Sequence, residues 1–173
     1  MQETPQQYTA RMLAHTEGHT GGKHALRLQQ ATPKKLAALV KGKKKQQLTR
    51  RPAPGKWSVA EILAHLADAE IAISWRLRQT LSTDGVPLQA FDQDSWAATF
   101  DYAHRDPKLS LAHFRALREA NVALLKAAPR KAWENHGMHA ERGKETVAHL
   151  VRMTAGHDQN HLHQIEGILR GKR

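Results

Sequence analysis

An all-α fold, a helical bundle preceded by an additional N-terminal helical segment, is what the sequence predicts, and three observations predict it. Apolar residues recur at helical spacing through most of the 173-residue chain. No run of alternating apolar and β-branched residues is long enough for a strand. Capping and breaking residues divide the periodic stretches into discrete segments. A chain of this length, 40% hydrophobic, buries roughly 70% of its unfolded surface in one core.

The elements follow in order. Residues 5–17 read as a first helix ended by Gly18, with Gly21-Gly22 as a break and residues 23–31 weakly helical. Thr32-Pro33 reads as N-cap and first position of a helix carrying Leu36, Leu39 and Val40, stopped by Gly42. A basic connector, 43–56, contains Pro52, Pro54 and Gly55. Ser58 followed by Glu61 is a capping box. It opens a helix with Ile62, Leu63, Leu66, Ala69, Ile73, Leu77 and Leu81, which Asp84-Gly85 ends. The long connection 84–105 holds Phe91, Trp96, Phe100 and Tyr102, and Asp92 caps a short helix over 93–100. Asp106-Pro107 opens a helix that closes before Pro129. Residues 130–143 read as a loop, and the last helix spans about 144–169. That makes four substantial helical segments.

Composition narrows the function. The absence of cysteine excludes disulfide frameworks, thiolate zinc sites, iron–sulfur clusters and cysteine nucleophiles. No apolar run approaches a membrane span, and the N-terminus lacks the apolar core of a signal peptide, so a cytoplasmic protein without a membrane partner is expected. The formal charge of +11 is uneven: residues 1–57 hold twelve Lys and Arg against Glu3 and Glu17, while the remainder is nearly neutral. The dense block from Lys41 to Lys56 reads as a solvated face, or as a contact for nucleic acid or another anionic partner.

Most of the twelve histidines must be incidental. With His157 at zero on the last helix, His161 falls at about 40°, Leu150 and Ile168 at about 20°, and Val147 and Ile165 at about 80°. Both histidines therefore share the apolar stripe, whereas His149 and His163 fall outside it and read as solvent-facing. Two imidazoles four residues apart on one face can ligate one ion, or can simply pack. His65 sits on the edge of the apolar stripe of its helix, either as a hydrogen-bonded core histidine or as a third ligand. Three imidazoles with open positions suit a divalent transition metal: zinc, nickel, iron, cobalt or manganese.

The stretches Lys56-Trp57-Ser58-Val59, His65-Leu66-Ala67-Asp68-Ala69-Glu70, Phe91-Asp92-Gln93-Asp94-Ser95-Trp96 and Gly156-His157-Asp158-Gln159-Asn160-His161, in that order, resemble the DinB-like (DinB/YfiT-like) superfamily of metalloenzymes, which includes thiol S-transferases. The resemblance covers about 32–170. It implies an up-down-down-up four-helix bundle domain over 32–173, with 1–31 as an N-terminal helical extension. It also implies metal ligation by His65, His157 and His161, zinc or nickel first, and homodimerisation.

Two functions are then expected. One is a metal-dependent enzyme acting on a small molecule, either a hydrolase of amides or esters or a transferase using an exogenous low-molecular-weight thiol. The other is a non-enzymatic module whose basic N-terminal third contacts nucleic acid. Arg76, about 20° from His65 on the same helix face, reads as an anchor for an anionic substrate group or as one half of a salt bridge. Asp158 reads as a partner orienting a ligand histidine or as an exposed charge. Arg118 needs a counter-charge, with Asp92 or Asp94 as candidates. Phe91 and Trp96 read as pocket wall or satellite core, and His136 and His139 as exposed loop residues or as an acid or base at the site mouth.

Overall fold

The computed structural model describes residues 3–16 and 22–171. Among these are α1 (Pro5–Ala14), α2 (Gly22–Val40), α3 (Lys45–Thr49), α4 (Val59–Ser82), α5 (Gln93–Thr99), α6 (Pro107–Ala127) and α7 (Val147–Leu169). Three short strands, β1 (Val86–Leu88), β2 (His136–His139) and β3 (Gly143–Thr146), accompany them. Helices α2, α4, α6 and α7 form the bundle, α4 packing on α6 and α7, and α2 on the same two.

The apolar core has two lobes that fix the direction of each helix. One lobe gathers Leu36 from the end of α2, Leu63 and Leu66 from the start of α4, Phe114 from α6, and Leu162 and Ile165 from the end of α7. The other gathers Ala25 from the start of α2, Leu77 and Leu125 from the ends of α4 and α6, and Val147 and Leu150 from the start of α7. Helix α2 therefore runs up, α4 and α6 run down side by side, and α7 returns. Parallel neighbours cannot be joined by a tight turn, so the chain from Thr83 to Asp106 crosses the length of the bundle carrying β1 and α5.

The local start signals act as the sequence predicts. The Ser58 hydroxyl accepts from the Glu61 N–H at 3.3 Å, and Glu61 accepts from the Ser58 N–H at 2.8 Å. Asp92 caps α5 by accepting from the N–H groups of Asp94 and Ser95, and Asp106 caps α6. The breaks expected at Gly18 and Gly21 lie outside the described residues.

Three features differ from expectation. The helix expected to begin at Thr32-Pro33 begins at Gly22 and passes through Pro33. A proline inside a helix leaves the carbonyl four residues earlier without its donor; here that carbonyl is Gln29, and Arg118 Nη1 donates to it at 3.4 Å. Second, residues expected as loop form a small sheet, β1 parallel to β2 and β2 antiparallel to β3. Strands of three and four residues are too short for alternation to register in sequence. Gly143, at φ +78°, supplies the left-handed turn of the β2–β3 hairpin. Third, the last helix starts at Val147, capped by Thr146 accepting from the His149 N–H, because residues 143–146 belong to β3.

Between the two lobes lies a buried polar layer. Arg118 Nε and Nη2 donate to Glu70 at 2.8 and 2.7 Å, and the same guanidinium pairs with Asp158. Asp158 also lies 2.8 Å from the Thr32 hydroxyl, and Asn121 donates to Glu70 at 2.8 Å. One network thus ties all four bundle helices. Asp158 is neither an exposed charge nor, in these contacts, a histidine orienter: it is fully buried because the bundle packs around that face of α7. Asp92 is exposed at the α5 cap, so the partners expected for Arg118 are replaced by Glu70 and Asp158.

Candidate functional site

His65 projects from the second turn of α4, and His157 and His161 from successive turns of α7. The bundle brings the three imidazoles together. His65 Nε2 lies 3.0 Å from His157 Nε2, and His161 Nε2 lies 3.1 Å from the same atom. One ligand atom from each falls within 4.8 Å of the others. The neighbours hold the rings in place: Trp57 packs on His65 with centroids 5.0 Å apart, and His161 Nδ1 lies 2.9 Å from Gln164 Oε1.

Burial favours the neutral form of each ring. It pushes His65 well below its usual range, with His161 adding to the effect. It does the same to His157, with His161, His65 and Arg118 adding. His161 is pushed down to about 4, mainly by burial and against the pull of Gln164. At neutral pH the cluster is therefore three uncharged imidazoles. Both short contacts meet at His157 Nε2, which in a neutral ring carries either a proton or a lone pair. It cannot donate to one neighbour while accepting from the other, so the trio is a poor hydrogen-bond chain.

The set fits a divalent ion better. Imidazole nitrogens about 2.0–2.1 Å from a tetrahedral ion lie roughly 3.3 Å apart, a few tenths of an ångström from the two short separations. The donors are neutral nitrogens, which suit zinc, nickel and iron alike. No fourth His, Asp or Glu joins the cluster among the described residues, leaving coordination positions to water or substrate.

The cluster faces a cavity of about 420 Å³ into which His65 and His157 both open. Its apolar wall comes from Ala69, Ile73 and Leu77 on α4 and from Leu150 and Met153 on α7. Helix α1, with its N-cap Thr4, supplies another wall through Pro5 and Tyr8. That helix is seated closely: a Cβ at Gly156 would fall 1.8 Å from the Met12 carbonyl oxygen, so only glycine admits α1 here. Arg11 adds hydrogen bonds to Asn160 at 3.2 Å and to Glu3.

The remaining candidates scatter. Arg76 lines the cavity and donates to the Gln89 carbonyl. Phe91 lines it too, stacked on Trp96 at 4.7 Å. His136 pairs with Asp84 at 2.7 Å, and His139 is buried in β2 instead of exposed. His149 is half-buried, 3.8 Å from Glu145, because β3 covers that side of α7; His163 is exposed as expected. Lys41, Lys43, Lys44 and Lys45 are exposed, while Arg51 is committed to Glu61. Sequence reasoning missed Tyr8 and Gly156. Gly156, an isolated glycine inside a helical pattern, was the available signal of close backbone approach.

Among the described residues no helix is long and apolar enough to cross a membrane. A protein of Oceanobacillus iheyensis named "Putative metal-dependent hydrolase" is 25% identical over 127 residues, 73% of either chain. Bacillus subtilis YfiT, given the same description, is 25% identical over 140 residues, 80% of this chain and 78% of its own. The solved YfiT structure, described as "a probable metal-dependent hydrolase with an unusual four-helix bundle topology", matches with TM-score 0.80 at 22% identity over 86% of each chain. That likeness is one of fold. Helix α1 precedes the segment that the DinB superfamily profile matches, residues 28–165. With that segment covering most of the chain, the protein belongs to the DinB superfamily.

Proposed function

We propose that this chain is a metal-dependent hydrolase of a small molecule, with the ion held by His65, His157 and His161. The observation that carries this reading is the convergence of three uncharged imidazoles, His65 and His161 buried and His157 half-buried, 3.0 and 3.1 Å apart at their Nε2 atoms, beside a cavity that His65 and His157 line. The names of the relatives, metal-dependent hydrolases, support it. A divalent ion with open positions supplies Lewis acidity and a more acidic water at neutral pH; zinc or nickel is the expected occupant. The chain's own residues do the rest. Trp57 and Gln164 fix two of the rings, the Arg118–Asp158 pair anchors α7 beside His157, and the apolar wall excludes bulk water from the substrate.

In the overall reaction, water adds to the carbonyl of an ester or amide, the bond to the alcohol or amine breaks, and a proton passes to the leaving group. The test strips the protein with a chelator, reloads it with zinc or nickel, and assays p-nitrophenyl esters and anilides. Hydrolysis that returns with metal and is absent from His157→Ala supports the reading. Turnover that requires an added low-molecular-weight thiol, with the thiol found in the product, would replace it with thiol transfer.

A further inference from the structure

The cavity wall carries a cation that no carboxylate among the described residues contacts. Arg76 is 8% exposed and lines the cavity. Its one described hydrogen bond goes to a neutral acceptor, the Gln89 carbonyl, leaving most of its five donors unspent. No carboxylate among the described residues lies within 4.0 Å of it, unlike the more deeply buried Arg118, which holds two. Two acids of the same cavity are already engaged: Glu3 is held twice by Arg11, and Glu145 twice by Arg142. Glu141 is exposed at the rim. Burial, with Arg142 adding, pushes the Arg76 guanidinium below its usual range although Glu145, Tyr8 and Glu141 pull the other way, as expected for a buried cation with no carboxylate in contact.

We propose that Arg76 binds the carboxylate of an amphipathic small-molecule substrate whose apolar body lies along Ala69, Ile73, Leu77 and Leu150 and whose scissile group reaches the three histidines. This rests on the hydrolase reading above and names the substrate class for it. Arg76 is eleven residues beyond His65 on the same face of α4, about 16 Å along the axis, and because both side chains tilt toward the N-terminus only the greater length of the arginine chain shortens the gap. The guanidinium–carboxylate contact and the approach to the histidines take up part of that distance, leaving a medium-chain body to bridge the remainder in a 420 Å³ cavity. The planar guanidinium matches a carboxylate in two-point contact, and Phe91, whose ring centre lies 5.8 Å from the guanidinium carbon, borders it.

The experiment titrates the full chain with octanoate and with its neutral isostere octanamide by calorimetry, in wild type, Arg76→Gln, Arg76→Lys and His157→Ala. Wild type is expected to bind octanoate at least tenfold more tightly than octanamide. The preference should vanish in Arg76→Gln and survive in part in Arg76→Lys, which keeps the charge if the glutamine variant folds poorly. It should persist in His157→Ala, which separates this assignment from the metal reading. No preference in wild type, no binding of either probe, or a preference undiminished in Arg76→Gln overturns the proposal.

Discussion

Arg118 on α6 donates to the backbone carbonyl of Gln29 on α2, the acceptor that Pro33 leaves without its helical donor. A proline that ought to break α2 is thereby accommodated by a side chain from another helix. The same guanidinium satisfies Glu70 and Asp158, so the backbone irregularity and the buried charges are one device. It lies beside the histidine cluster, since Asp158 follows His157 in sequence.

Removing that guanidinium leaves two buried carboxylates and an unpaired carbonyl. Arg118→Met is expected to destabilise the fold by about 3–5 kcal/mol, read as a shift of the urea midpoint. A loss below about 1 kcal/mol would show that Glu70 and Asp158 find other partners or take up protons without strain.

The seat of α1 makes a separate prediction. Gly156→Ala places a methyl group where the Met12 carbonyl lies. Helix α1 should leave α7 while the four bundle helices persist. Amide hydrogen exchange should show protection lost across residues 5–14 and retained in α4 and α6. Unchanged protection in α1 would mean that α7 shifts to admit the methyl.

Glu61 gives a pH signature. Burial pushes its carboxyl up, but the Arg51 hydrogen bond and the Ser58 N–H outweigh it, and the net displacement is downward. A carboxylate with a lowered folded-state value stabilises the fold above its unfolded value, near 4.5, and loses that contribution as pH falls through the folded value. Wild type should therefore exceed Glu61→Gln in urea resistance at pH 7, and the gap should close as the pH drops below about 4.5. A gap independent of pH would assign the difference to shape instead of charge.

Legibility in the sequence followed the range of each interaction. The Ser58–Glu61 box, the Asp92 and Asp106 caps and the shared phase of His157 and His161 depend on residues two to four apart, and all appear as read. His65 was placed by its phase and by the resemblance of its surroundings. Asp158 misled because phase along one helix says nothing of how many helices surround it; α7 meets α1, α2 and α4, so a face that reads as polar is interior. Pro33 misled because the donor that rescues α2, Arg118, is 89 positions from the Gln29 carbonyl it serves. The strands were hidden by their brevity. The part played by α1 in the cavity depends on one glycine, Gly156, which in the sequence signals a close approach without naming what approaches.

The central claim is that three distant histidines hold one ion, and metal stoichiometry tests it most directly. Tag-free protein would be exposed to zinc, freed of unbound metal by gel filtration, and measured by elemental mass spectrometry beside His65→Ala, His157→Ala and His161→Ala, with circular dichroism as the control for folding. One equivalent in the parent and a folded but metal-free state in each variant is the predicted result. A parent that takes up no ion, or variants that all retain one, would contradict it and make the three imidazoles part of the core.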